Sequence, residues 1–314
     1  MSICNCDANQ LRWRLPCLRA PRIERIFGLN TEHRKRRPPA KGDGQAPSGA
    51  QGGRGRNAPR RQPRGAGGAG GGSIWLYGRH AALAALANPA REIERVRATP
   101  GFQEHYGETL TRLGAGQNWP VETADGAALD RLFGEDAVHQ GVVVATRPLE
   151  QPDVSEIRAM DDSAVVLVLD QASDPRNVGA VIRAAAAFGA LAVVTTLRGA
   201  PPETAALAKA AAGALEAVPY IQATNLARAL DTLKANGFWS VGLEGSADML
   251  LADAPFDRPI ALVLGGEGRG LRRLTADVCD ALVRIPIAPG VESLNVATAA
   301  AIALYERRRG VGSV

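Results

Sequence analysis

The chain has 314 residues, 46% of them hydrophobic, which is enough for two domains of ordinary size. Its net charge of +5 is unevenly distributed: residues 1–73 hold 15 of the 37 Lys and Arg but only 4 of the 32 Asp and Glu. No apolar run approaches the roughly 20 residues that span a bilayer, and the four cysteines include no CxxC pair, which disfavours a disulfide framework and a zinc site.

Residues 1–73 are rich in Gly, Pro and Arg, and they predict a disordered basic extension that cannot bury enough apolar surface to fold. Its natural partner is a polyanion, because each cation placed on a phosphate releases counterions. A merely solubilising role explains the composition equally well. The cysteine usage favours a reducing, cytoplasmic compartment, although the Arg-rich first 27 residues also resemble an organellar transit peptide.

Residues 74–148 predict a small α/β domain, because helical and strand periodicities alternate within short spans. The expected strands are residues 94–98, 121–124 and 141–146. The expected helices are residues 79–87, 103–113 and 127–133. The polar, Pro-containing residues 149–163 are interpreted as a linker.

Residues 164–314 form the second predicted domain, and their clearest signal is a set of continuous apolar runs at 165–169, 192–194, 238–243, 260–264 and 282–285. Strands of this kind are buried on both faces, which indicates a parallel sheet covered by helices. Those helices are expected at residues 178–188, 204–212, 226–235, 271–279 and 294–308. The pattern is typical of a doubly wound α/β domain, in which ligands bind beyond the carboxyl ends of the strands.

A first polar cluster, residues 170–179, follows a predicted strand and leads into the helix that carries Arg183. Asn177 is a residue type that commonly caps helices. Arg183 lies six residues further on, under two helical turns, so it should point out near the same end of the sheet. A guanidinium in such a position suits a phosphate. By itself the cluster is equally consistent with a capped helix and a salt-bridged surface arginine.

A second cluster, residues 265–271, follows the next predicted strand and has the sequence GGEGRGL. It departs from a dinucleotide-binding fingerprint, because Leu271 stands where the third glycine would be needed. Its glycines allow a ligand to lie close to the backbone, with the Glu267 carboxylate framed between them. Taken alone, the motif is better explained as a sharp turn from strand to helix.

A third cluster, residues 285–297, begins where a strand ends at Pro286. We expect Ser293 to cap the following helix and to present Asn295 on its first turn. The hydroxyl and amide groups could orient a sugar hydroxyl or a carboxylate. In isolation this is an ordinary helix N-terminus.

In this order, the three clusters resemble the three sequence motifs of the SpoU/TrmH family of RNA ribose 2′-O-methyltransferases, in the SPOUT superfamily. The matching segments are DPRNVGA at 174–180 with Arg183, LGGEG at 264–268 with Gly270 and Leu271, and IPI at 285–287 with SLNVA at 293–297. Upstream, YGRHA at 77–81 and HQGV at 139–142 resemble the ends of a ribosomal-protein L30e-like RNA-binding domain that longer family members carry.

The resemblance implies a trefoil-knotted, parallel-sheet methyltransferase domain, a homodimer, and S-adenosylmethionine as methyl donor. It points to the subgroup that methylates a guanosine of large-subunit rRNA. Carried over by position, the residues that line the cofactor pocket are Leu243, Gly265, Ile285 and Leu294. The polar active-site set is Asn177, Arg183, Glu267, Ser293 and Asn295.

The resemblance implies that Arg183 either acts as the general base or clamps a phosphate and stabilises the developing alkoxide. We favour the clamp, since an arginine pKa lies above about 12. No metal is expected, and His80 and His139 are given no chemical step. The alternatives are a tRNA ribose methyltransferase, a non-catalytic RNA-binding ribosome-assembly factor, and a nucleotide-dependent oxidoreductase, which the glycine spacing disfavours.

Overall fold

The computed structural model describes residues 72–117, 119–133, 137–266 and 270–310, which form two β-sheets and the helices that pack against them. The predicted basic extension, residues 1–73, therefore lies outside the described residues except for its last two positions. All described residues belong to one compact unit, Pro63–Val314. None of the described helices combines the length and the apolar character needed to span a bilayer.

The first sheet has four strands in the order β1-β4-β2-β3. Its elements in chain order are β1 (Ile74–Tyr77), α1 (Arg79–Ala87), β2 (Ile93–Ala98), α2 (Pro100–Gly114), β3 (Val121–Thr123), α3 (Gly126–Phe133) and β4 (Val142–Thr146). Strand β4 is antiparallel to both β1 and β2, whereas β2 and β3 are parallel. All five residues of β4 are buried, because this strand lies inside the sheet and is covered on both faces.

The second sheet has seven strands in the order β7-β6-β5-β10-β8-β11-β9, and every neighbouring pair is parallel. Its elements are β5 (Val165–Asp170), α4 (Pro175–Ala187), β6 (Ala192–Thr196), α5 (Ala205–Ala211), β7 (Tyr220–Ala223), α6 (Leu226–Ala235), β8 (Trp239–Leu243), β9 (Met249–Leu250), β10 (Ile260–Gly265), α7 (Arg273–Val278), β11 (Ala281–Arg284) and α8 (Val296–Gly310). The predicted parallel α/β architecture is confirmed.

Two apolar cores lie on opposite faces of the seven-stranded sheet. Side chains such as Leu167 and Leu169 join α4, α5 and α8 in one core, while Val166 and Val168 join α6 in the other. This division follows from the strand itself, in which successive side chains point to opposite faces. Each fully buried leucine contributes about 1.5–3 kcal/mol relative to an exposed one.

Elements of the first sheet contribute to an apolar core of the second sheet. Leu76 of β1 and Ala81 and Ala85 of α1 are buried in the core that contains α4, α5 and α8. The segment predicted as a linker, residues 149–163, contains a short 3-10 helix whose Val154 is buried in the other core. The connection between the sheets is therefore anchored on the larger one.

Candidate active site

The carboxyl ends of β5, β10, β8 and β11 lie side by side at one edge of the seven-stranded sheet. Asp170 at the end of β5 is the register partner of Gly265, and Leu243 at the end of β8 pairs with both Leu264 and Val283. Each polar cluster begins where one of these strands ends. Because the strands are parallel, three segments far apart in sequence meet at the same edge.

A hydrogen bond joins the first and third clusters: Asn295 Nδ2 donates to Asn177 Oδ1 over 3.0 Å. The caps of the two helices differ from those predicted. Asp174 caps α4 by accepting from the Arg176 backbone N–H, so Asn177 lies inside the first turn. Asn295 itself accepts from the N–H groups of residues 297 and 298 at the start of α8.

The correction at α8 has a physical reason. The helix begins at Val296, so only the residue directly before it can reach the first free N–H groups. Ser293 lies three residues before the helix on an exposed, irregular segment. The predicted capping role of Ser293 is therefore wrong, and Asn295 combines the cap with the contact to α4.

An ion pair joins the first cluster to Arg272, the residue that directly follows the second cluster. The Asp170 carboxylate is fully buried, and it accepts from Arg272 Nε over 2.7 Å and from the Arg272 backbone N–H over 3.0 Å. This pair holds the loop after β10 against the end of β5. Neither residue was predicted to have a role, although an aspartate that ends a wholly apolar strand is a signal of such a contact.

The glycines of the second cluster allow close backbone approach. A Cβ on Gly265 would lie 2.0 Å from the carbonyl carbon of Gly270, and one on Gly266 would lie 2.4 Å from the Gln171 carbonyl oxygen. Gly270 also adopts a positive φ of 61°, which glycine tolerates best. These positions exclude a side chain because backbone already occupies the space.

Arg183 is exposed on α4, and its charge is felt by His80 at the start of α1. The pKa of His80 is lowered from its usual value first by burial, and then by the charges of Arg79 and Arg183. The neutral imidazole is therefore favoured at this position. His80 therefore lies within reach of the charges of both Arg79 and Arg183.

The residues expected to line a cofactor pocket lie at the same edge of the seven-stranded sheet. Leu243, Gly265, Ile285 and Leu294 are all half-buried, and Leu243 and Ile285 pack against the core that contains α8. Glu267 lies outside the described residues. Within the part of the chain that the structure describes, no group of three or more His, Cys, Asp or Glu could hold a metal ion.

Comparison with known families agrees with this arrangement. The profile of the SpoU rRNA Methylase family matches residues 164–305, and that of the RNA 2'-O ribose methyltransferase substrate-binding domain matches residues 75–152. Together with the relatives below, these matches show that the chain belongs to the SpoU family of RNA methylases.

Two similar curated proteins carry the same name. A protein from Burkholderia sp. is 40% identical over 236 residues, which cover 74% of this chain and 95% of the relative. One from Pseudomonas putida is 36% identical over 238 residues, again 74% and 95%. Both are called 23S rRNA (guanosine-2'-O-)-methyltransferase RlmB.

Solved structures share the fold. An AdoMet-bound rRNA methyltransferase from Sinorhizobium meliloti superposes with a TM-score of 0.66 at 24% identity, and covers 77% of this chain and 88% of its own. The SpoU methyltransferase AviRb from Streptomyces viridochromogenes gives a TM-score of 0.65 at 23% identity, with 76% and 90% coverage. At these identities the likeness concerns the fold.

Proposed function

We propose that this protein transfers a methyl group from S-adenosylmethionine to the ribose 2′-hydroxyl of a guanosine in large-subunit rRNA. The observation that carries the proposal is the meeting of the three family motifs at one sheet edge, joined by the Asn177–Asn295 hydrogen bond and the Asp170–Arg272 ion pair. Two further findings support the substrate: curated relatives of this name are covered almost completely by the chain, and a substrate-binding domain precedes the methylase domain.

The edge fits the proposed methyl donor chemically. Leu243, Ile285 and Leu294 offer half-buried apolar surface for a flat base, and the glycine turn at Gly265 and Gly266 offers backbone polar groups without side chains. We assign these residues to hold the donor. When bound, the donor supplies an electrophilic methyl group on a sulfonium.

The polar residues then have to orient the acceptor hydroxyl and assist the loss of its proton. Positioning alone can lower a reaction barrier by about 7–11 kcal/mol. We assign Arg183 to clamp a phosphate and to stabilise negative charge that develops on the ribose oxygen. Asn177 and Asn295 are assigned to hold the ribose in register, because their mutual hydrogen bond fixes both amides. Glu267 and Ser293 complete the proposed set.

The finer architecture is also part of the proposal. We infer a trefoil knot in residues 164–314, an L30e-like fold for residues 74–148, a homodimer and a cytoplasmic location. The basic residues 1–73 are inferred to add sequence-independent affinity for RNA, since they hold 15 Lys and Arg against 4 Asp and Glu.

Mapping ribose methylation in rRNA and tRNA from cells with and without the gene tests the proposed reaction. We expect one guanosine of large-subunit rRNA to lose its 2′-O-methyl group, and purified protein with S-adenosylmethionine to restore it. Loss of a tRNA mark instead would assign a tRNA substrate. An unchanged methylation map, together with no S-adenosylmethionine binding in calorimetry, would favour a non-catalytic assembly factor.

A further inference from the structure

A group of basic side chains lies where the two sheets meet on the α4–α5 side. We call it the basic patch, and it consists of Arg79 on α1, Arg176 and Arg183 on α4, and Lys209 on α5. Of these residues, only Arg183 has a role in the proposed methyl transfer. The other three are distributed over segments that are up to 130 residues apart in sequence.

Contacts across the junction bring these segments together. Lys209 Nζ lies 5.1 Å from the centre of the Tyr77 ring, and a Cβ on Gly78 would lie 3.7 Å from Lys209 Cγ. A Cβ on Gly213, just beyond α5, would lie 3.2 Å from the His80 carbonyl oxygen. The start of α1 therefore packs directly on α5.

Neutral groups hold the side chains of Arg79 and Lys209 in place. Arg79 Nη1 donates to the Tyr106 hydroxyl over 2.9 Å, and Arg79 Nη2 lies 3.0 Å from His80 Nε2. Lys209 is held by the ring of Tyr77. These contacts orient Arg79 and Lys209 without supplying a negative charge.

Among the described residues, Arg79, Arg176, Arg183 and Lys209 form no ion pair with Asp or Glu. The charge of Arg176 acts on Lys209, because the pKa of Lys209 is lowered first by burial and then by Arg176. Elsewhere the same part of the chain pairs its arginines, as Arg91 and Arg272 illustrate. A cluster of unpaired cations is unfavourable unless an anion binds there.

We propose that the basic patch binds the phosphates that flank the methylated nucleotide, so that one RNA strand crosses from Arg183 to Arg79 over both sheets. This inference rests on the proposed function, which places the acceptor ribose at Arg183. An RNA strand fits the patch because its phosphates repeat along the chain, and the cations lie on three helices that pack in sequence, α4 on α5 and α5 on α1. Binding there would hold the substrate-binding and methylase domains of one protomer on the same strand.

The test compares full-length Arg176→Ala and Lys209→Ala with Arg228→Ala. Arg228 is a matched control: it is exposed on α6, which packs on the opposite face of the sheet, and its removal costs the same charge. The measurements are the salt dependence of binding to a large-subunit rRNA fragment and the steady-state constants for methyl transfer. Circular dichroism checks that each variant folds.

The slope of log K against log salt concentration is negative. In each patch variant its magnitude should fall by about 0.7–0.9, because one phosphate contact is lost. The KM for RNA should rise about two- to fivefold with kcat unchanged, as expected for one exposed charge contact. Lys209→Arg, which keeps the charge, should restore most of the slope. Arg228→Ala should resemble the wild type.

The proposal that the basic patch binds RNA would be wrong if Arg176→Ala, Lys209→Ala and Arg228→Ala had equal slopes and KM values while the wild type is active. The proposed methyl transfer would not be affected by that result. A wild type that transfers no methyl group to any RNA would overturn the proposed function instead. The slope comparison separates the two, because it measures phosphate contacts without turnover. A slope reduction specific to the patch variants would support the proposal.

Discussion

Asn295 performs two tasks at the scale of a single residue, since it caps α8 and also donates to Asn177. Substitutions can separate them. Asn295→Ala should lower the free energy of unfolding by about 1 kcal/mol through the lost cap, whereas Asn295→Ser retains a capping side chain that is too short for Asn177. We expect both variants to lose methyl transfer, and only the alanine variant to lose stability in urea unfolding. A fully active Asn295→Ser would show that the contact is dispensable.

Arg183 is the residue on which the proposed chemistry depends most. Arg183→Ala should keep S-adenosylmethionine binding, because the side chain is exposed on α4 and supports no core contact, but should reduce methyl transfer by at least about 100-fold, as removal of one electrostatic stabiliser does elsewhere. Calorimetry and a tritiated-methyl assay measure the two effects separately, with Arg228→Ala as the control. Near-normal turnover in Arg183→Ala would rule out both proposed roles for this residue.

The turn after β10 sets the shape of the site at the scale of an element. Gly265→Ala places a methyl group where the Gly270 backbone lies, so the loop must open and the Asp170–Arg272 pair must adjust. We expect S-adenosylmethionine affinity to fall at least about tenfold in calorimetry, with a small loss of stability. Gly245→Ala, whose Cβ would meet no atom within 4 Å, is the matched control. Wild-type affinity in Gly265→Ala would remove Gly265 from the cofactor site.

Elements with a strong apolar period were predictable from the sequence, and short ones were not. The runs that became β5, β6 and β10 are buried on both faces, so their composition alone identifies them. The runs at β8 and β11 carry the same apolar signal, although their ends are less buried. Strands β1, β7 and β9 were missed; each is an edge strand of two to four residues with at most two buried positions. Their positions depend on partners that are distant in sequence.

The common location of the three clusters was predictable from the sequence, whereas the residues that cap the helices were not. Parallel strands bring their carboxyl ends to one edge, so the three clusters could be expected together. The caps could not be assigned, because Asp174 and Asn177, or Ser293 and Asn295, are all suitable residue types within one turn. Only the backbone path decides which side chain reaches the free N–H groups.

The two sheets are joined, at the scale of the whole molecule, by a buried ion-pair cluster around Arg91. Its guanidinium donates to Glu216 and Glu203 over 2.6 Å each, and to the Arg147 carbonyl oxygen over 3.0 Å. Asn88 adds a hydrogen bond to Glu216. Because Arg91 precedes β2 while both glutamates belong to the methylase domain, the cluster links the RNA-binding part to the catalytic part.

Arg91→Met should be strongly destabilising for this reason. The methionine fills the volume but leaves two carboxylates without their cation, and breaking a buried pair in this way typically costs about 3–5 kcal/mol. Equilibrium urea unfolding measures the loss. In the triple variant Arg91→Met, Glu203→Gln, Glu216→Gln, which removes the charges together, we expect a large part of the stability to return. A single variant as stable as the wild type would mean that the cluster does not hold the sheets together.

The pH dependence of this loss gives a further, independent prediction. Burial already raises the pKa of Glu203 above its usual value, with Arg91 opposing the shift, so Arg91→Met should raise it further. A carboxyl with a raised pKa in the folded state binds its proton more tightly there than in the unfolded chain, so the penalty is absent below about pH 4.3 and grows as the pH rises through the folded value. Arg91→Met should therefore lose more stability relative to the wild type at pH 8 than at pH 5. An equal loss at the two pH values would show that the glutamates of the variant remain solvated, so that no carboxylate is buried without its cation.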